Sequence, residues 1–421
     1  MLAFLGLVSV LIFEYIRPNT WIPALGPVGT LLALFTLALS LATKSVNNNA
    51  AILRDKNGLY LMWMLGMVTV SVLTATVTEF AFIKFKSVLG YFFLFYVIVK
   101  LLDDVKRIKQ FYAVMVLIHI ALLVINPSVI LNPETRNYLT NAGFLGDGND
   151  FAWSVCVVLP MAMFLFLEAK KFLPRLLFGA SFSVLILAII GSQSRGATLG
   201  VGSMLFYQWL RSKNKALGVA AAFALVSMVL VFAPPQYFER MDTLRDYEHE
   251  GSAALRLILW GQAINMANDH PILGIGAGHF SVAFGTTYRP AGESTTSLPW
   301  QNAHSIYFMI LAELGYPGLL MMLLFIITNL VTNNQRIRDC HKLDPAIQLT
   351  HRRLLISADS CLIAFAITGT FLSGIYYPHF YIVAGVITAN VLIFQRKIAT
   401  MDEKITQGND QATTELPVKS G

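Results

Sequence analysis

Apolar residues fall in blocks of roughly 17 to 25, the length that carries a helix across a bilayer. Polar or basic stretches separate the blocks. Twelve of them predict helices over about 2–16, 25–43, 59–77, 80–99, 110–126, 150–167, 174–191, 196–210, 216–232, 306–332, 354–373 and 378–395. The one long polar stretch lies between the ninth and tenth blocks. The chain thus divides into an N-terminal bundle over 1–232, a loop over 233–303, a C-terminal bundle over 304–396 and a disordered tail over 397–421. The fold class is an all-α polytopic membrane protein with a long, partly helical loop.

Composition agrees. Of 421 residues, 56% are hydrophobic and 13% charged, against about 25% charged in a soluble domain. The net charge of +7 does not point to nucleic acid, because basic residues in membrane proteins first report topology. Cys156, Cys340 and Cys361 have no CxxC or metal-ligand spacing and read as structural thiols. Met1 to Ile16 lacks a basic n-region and a small-residue cleavage site, so it reads as a retained first helix.

Lysine and arginine set the orientation. With the N-terminus inside, alternate loops hold Lys44, Arg54 and Lys56, then Lys100 to Lys109, then Lys170, Lys171 and Arg175. Arg211 to Lys215, Arg336 to Arg353 and the tail complete the set, which places 22 of the 31 basic residues inside. Both termini are expected in the cytoplasm. Arg17, Lys84, Lys86, Arg136, Arg195, Arg240, Arg245, Arg256 and Arg289 remain outside.

These outer residues hold the candidate chemistry. Arg195 sits in a very short turn, Gly191-Ser-Gln-Ser-Arg-Gly-Ala197. A guanidinium at the lip of a bundle usually has a partner or ligand, and its planar fork suits phosphate. Arg256 lies near the start of an amphipathic segment capped by Ser252 and stopped at Asp269-His270-Pro271, with Leu255, Leu259, Ala263 and Met266 at helical spacing. Arg245 and Arg289 read as solvated charges. Lys84 and Lys86 are two residues apart on a helix, about 200° around it, so at most one faces the bundle and the pair leaves open which.

His304 lies roughly 13 Å above the top of the tenth span at 1.5 Å per residue. Asn302 is a natural N-cap, which would put His304 in the first turn, where a helix N-terminus favours neutral imidazole. A neutral histidine can accept a proton from a hydroxyl. No other histidine pair has metal spacing. Gly274-Ile-Gly-Ala-Gly278 has no sheet to serve a nucleotide and reads as a turn. Gly143 to Asp150 reads as a cap on the sixth span, with Asn149 or Asp150 lining the site as the alternative.

Gly251 to Phe280, with Arg256, Trp260, Asp269-His270-Pro271 and Gly274-x-Gly276-x-Gly278-His279-Phe280, resembles the signature of O-antigen ligases and polymerases. Asn302-Ala303-His304-Ser305, followed by Leu311, Glu313, Gly315 and Gly318, resembles that family's histidine motif, and Ser194-Arg195-Gly196 its outer-turn arginine. The resemblance implies a metal-independent, inverting glycosyltransferase of GT-C-like architecture in a bacterial inner membrane, with its site facing the periplasm. It implies a glycan on undecaprenyl diphosphate as donor, lipid A–core or another glycan as acceptor, and no cofactor. Arg195, Arg240 and Arg256 would hold the diphosphate, with Lys86 as a further contact and Lys84, Asn302 and Asn149 as additional candidates. His304 would activate the acceptor. Arginines can stabilise a developing dianion, and no outer loop holds a literal Asp-x-Asp triplet.

A polymerase or a protein O-oligosaccharyltransferase of the same family would share these motifs. A lipid-linked glycan transporter is the rival of another class. Against it, the special residues sit at one face and the spans show no evident internal repeat.

Overall fold

The computed structural model describes residues 1–131, 139, 143–216, 218–220, 223, 227, 230, 251–290 and 300–414. Among them the secondary structure is helical, with no strand. The N-terminal helices are α1 (Leu2–Tyr15), α2 (Val28–Ala42), α3 (Asn49–Arg54), α4 (Lys56–Thr74), α5 (Thr78–Leu101), α6 (Val105–Ile125) and α7 (Ser128–Leu131). Then come α8 (Gly148–Glu168), α9 (Phe172–Gly191), α10 (Arg195–Arg211), α11 (Gly251–Asp269) and α12 (Phe280–Thr286). The last three are α13 (Ile306–Asp339), α14 (Pro345–Gly369) and α15 (Pro378–Thr414).

Eight described helices are long and apolar enough to cross a membrane, where twelve were expected. The physical reasons differ. Helix α1 has only 14 residues and α10 only 17. Helix α14 has 25 residues but carries Arg352, Arg353 and Asp359. The block at 216–232 lies largely outside the described residues. The final helix runs to Thr414, past the boundary set at 396.

Short polar residues start the helices. Asp55, Asp104, Asp147, Ser194 and Asp344 each accept a hydrogen bond from a backbone N–H in the first turn of α4, α6, α8, α10 and α14. Asp147 is the cap of α8, within the Gly143 to Asp150 stretch expected to supply it. The core centres on α8, of whose span 78% is buried, against 11% for the span containing α2. Trp153 of α8 stacks on Phe365 of α14 at 5.2 Å and donates Nε1–H to the Phe365 carbonyl at 3.0 Å.

Charged residues gather at one end of the bundle. Glu168 pairs with Lys109 and Arg353, each at 2.9 Å, and Arg352 donates to the Arg211 carbonyl at 2.7 Å. Lys56 donates to the Thr328 carbonyl at 2.9 Å, and Arg396 bonds Asn47. The opposite end holds the starts of α10, α13 and α15, where the site is built.

Candidate active site

The frame of the site is a break in α13. Gly315 has φ 68° and ψ −170°, so the helix stops and restarts there. Pro317 has no N–H to give back to the Glu313 carbonyl. The segment after α11 fills the gap: Ile275 N–H donates to the Ala312 carbonyl at 2.9 Å and Gly276 N–H to the Glu313 carbonyl at 3.1 Å. Tyr316 N–H turns instead to the Pro271 carbonyl at 2.9 Å. A Cβ on Gly274 would lie 2.3 Å from the Glu313 backbone, so a glycine is required at that approach.

The buried Glu313 carboxylate gathers donors from two other segments. It accepts from Gly278 N–H at 2.8 Å, Phe280 N–H at 3.1 Å and Tyr376 Oη–H at 2.6 Å. Burial, then the Glu313 charge, holds the Tyr376 phenol well above its usual range, so it stays a donor. The glycine-rich stretch is therefore a clamp around an acid. His279 ties it to the α4–α5 turn: Nε2 accepts from Val77 N–H at 3.0 Å, which leaves Nδ1–H to donate to the Ala277 carbonyl at 3.0 Å.

Above this frame three elements meet. Helix α11 buries Leu259, Ala263 and Met266 and packs on α13. Its Trp260 stacks on Phe308 with ring centroids 4.8 Å apart and donates Nε1–H to the Ala303 carbonyl at 2.9 Å. Arg256, half-buried, lies one turn earlier on the same face. Next to Ala303, His304 donates its N–H to Ser373 Oγ at 2.7 Å, and its Nε2 lies 3.3 Å from Gln301 Oε1. Helix α10 reaches the same α14–α15 linker, where a Cβ on Gly196 would lie 3.1 Å from the Phe371 ring. Arg195, the first residue of α10, is half-buried there. The linker's Tyr377 donates to Asp150 at 3.3 Å, and its phenol is raised by burial and then by that carboxylate.

Two residues beside the site hold left-handed backbone without being glycine: Gln193 at φ 54° and His304 at φ 48°. Such conformations persist where the surroundings enforce them. For His304 the enforcing contacts are Ser373 and the Trp260–Ala303 bond.

Several expected positions differ. Helix α13 begins at Ile306 with Ser305 as N-cap, so Asn302 is not the cap and His304 precedes the first turn. Ser305 makes no side-chain capping bond, and the bonds to Ala303 and His304 hold the residues before it outside the helix. Asn302 is exposed and Asn149 half-buried in the first turn of α8. Lys84 is the lysine turned inward, its Nζ 5.3 Å from the Tyr376 ring centre, whereas Lys86 is exposed with Nζ 5.1 Å from the Phe82 ring centre. Arg289 is half-buried against α12, with Nε 3.3 Å from the Gly285 carbonyl. Helix α11 already includes Gly251, which places Ser252 inside it. Arg240 and Arg245 lie outside the described residues.

Sequence reasoning missed Gln301, Ser373 and Tyr376. Gln301 stood next to the histidine motif. Ser373 and Tyr376 lie about 70 residues on in a short linker and carry no local signal. Among the described residues, no three His, Cys, Asp or Glu side chains gather as a metal site would require.

The fold defines a polytopic helical membrane protein, and the polar junction at one end, with Arg195, Arg256 and His304 half-buried beside it, is its candidate site. Residues 180–323 match the family model described as O-Antigen ligase, so the chain carries an O-antigen ligase domain over that stretch. The match marks a membrane enzyme of the O-antigen ligase/polymerase type, a glycosyltransferase-type family acting on lipid-linked glycans. It spans Arg195, Arg256 and His304. No curated protein matches the sequence.

Proposed function

We propose that the protein transfers a glycan from undecaprenyl diphosphate to a hydroxyl of lipid A–core at the periplasmic face of a bacterial inner membrane. The supporting observation is the junction of α11, α10 and the α14–α15 linker around residues 303–304; Arg195, Arg256 and His304 fall within the matched stretch and the linker lies beyond it.

His304 accepts the proton of the acceptor hydroxyl, and the oxygen attacks the anomeric carbon. The bond from that carbon to the phosphate oxygen breaks, and its electron pair leaves with the lipid diphosphate. Arg195, Arg256 and Arg240 hold the dianion as charge develops, with Lys84 the lysine placed nearer the bundle interior. A single displacement inverts the anomeric configuration. If Nε2–H donates to Gln301, the neutral ring presents its lone pair at Nδ1. The arginines meet the charge without a divalent ion.

Gene deletion followed by gel analysis of lipopolysaccharide tests the acceptor. Core with no attached glycan is the expected result. Core bearing a single unit would indicate a polymerase, and unchanged lipopolysaccharide would reject both.

A further inference from the structure

Helices α1, α2 and α5 form a seam away from this site. Along it runs an apolar slot of about 40 Å³, lined in part by Leu7, Val10, Leu37, Gly90, Phe93 and Val97. Toward the basic end, the same helices open into a cavity of about 190 Å³ lined in part by Thr43, Lys44, Ser45, Lys100, Asp103 and Arg107. The two openings are lined by neighbouring turns: Val97 and Lys100 of α5, Leu7 and Phe4 of α1, and Leu37 of α2 with Thr43 just beyond its end.

The cavity walls carry three basic side chains and one carboxylate, Asp103. Lys100 is only 5% exposed, and its ammonium is fixed by the Asn47 carbonyl at 3.2 Å and Asn49 Oδ1 at 2.8 Å. Arg107 lies with its guanidinium carbon 5.0 Å from the Phe4 ring centre. Lys44 is exposed. Around the seam, Leu2, Leu5, Leu34, Leu41 and Val46 are exposed, as on a lipid-facing surface.

We propose that this seam binds one anionic phospholipid, with its phosphate in the basic cavity and an acyl chain along the slot. Charge complementarity selects the headgroup, since basic pockets between membrane helices hold anionic lipid phosphates. The slot selects lipid over free phosphate, which shares the headgroup chemistry and has no chain to bury.

Native mass spectrometry of the delipidated full-length protein tests this, with phosphatidylglycerol, phosphatidylethanolamine and inorganic phosphate as probes. Phosphatidylglycerol should bind one to one and at least about tenfold tighter than the zwitterionic lipid. Each basic residue contributes about fivefold, so Lys44→Ala with Arg107→Ala should weaken it roughly 25-fold. Lys213→Ala, also exposed and basic, should change nothing. A Cβ at Gly90 meets no atom within 4 Å, so Gly90→Leu has room to fold while filling the slot. It should weaken phosphatidylglycerol and leave phosphate unaffected. Equal binding of the two lipids, or wild-type binding by the double variant, would overturn the proposal. Phosphate binding as tightly as phosphatidylglycerol, with Gly90→Leu indifferent, would overturn it in favour of a free-anion site.

Discussion

His304 is held by its backbone as much as by its ring. Left-handed backbone costs a non-glycine residue roughly 1–2 kcal/mol, and the bond to Ser373 holds the turn in place. Ser373→Ala should therefore lower turnover while leaving donor affinity intact, a split that steady-state kinetics and donor binding would resolve. His304→Gln keeps a hydrogen bond but no base, and near-normal transfer by it would reject the base assignment. Arg256→Lys keeps the charge and loses the planar fork. It should weaken donor binding as well as slow transfer, and normal values for both would reject the clamp. The histidine was legible in the sequence as a motif, and its setting was not. Ser373 holds it from 69 residues away, a contact that no local pattern displays.

Helix α13 is two helices joined across a built-in interruption. The interruption falls at Gly315, two residues before Pro317, and the segment after α11 supplies the N–H groups that the break needs. A Cβ at Gly315 would lie 2.6 Å from the Pro271 carbonyl oxygen at a positive φ. Gly315→Ala should lower the thermal midpoint in detergent, and an unchanged midpoint would contradict this account of the break. Glu313→Leu strands two N–H groups and a phenol, each costing about 1–3 kcal/mol. Glu313→Gln, which keeps one acceptor oxygen, should lose less. The spacing of α11 and its stop at Asp269 were legible, since Leu259, Ala263 and Met266 are buried and Leu255 is half-buried. The clamp role of Gly274 to Gly278 was not, because its partner acid lies about 35 residues on.

The whole molecule separates a basic end from a site-bearing end. Hydropathy blocks gave most of the helices. Of the twelve expected spans, eight qualify among the described residues: α1 is short, α14 carries charges that tertiary contacts accommodate, as in the bond from Arg353 to Glu168, and the block at 216–232 lies largely outside those residues. If the basic end is cytoplasmic, single cysteines at Arg195 and His304 should react with a membrane-impermeant reagent from the periplasm, and cysteines at Arg338 and Lys397 should not. The background would lack Cys156, Cys340 and Cys361. Labelling at 338 and not at 304 would invert the orientation. In the proposed reaction a histidine base and arginines transfer the glycan without a metal. The most direct measurement is transfer from an undecaprenyl diphosphate-linked glycan to lipid A–core by purified protein in excess EDTA, comparing wild type with His304→Ala. Wild type should transfer undiminished, and the variant should be slower by about 10²- to 10⁴-fold with donor binding retained. Wild-type turnover lost in EDTA and restored by magnesium or manganese, or a variant as fast as wild type, would contradict the account.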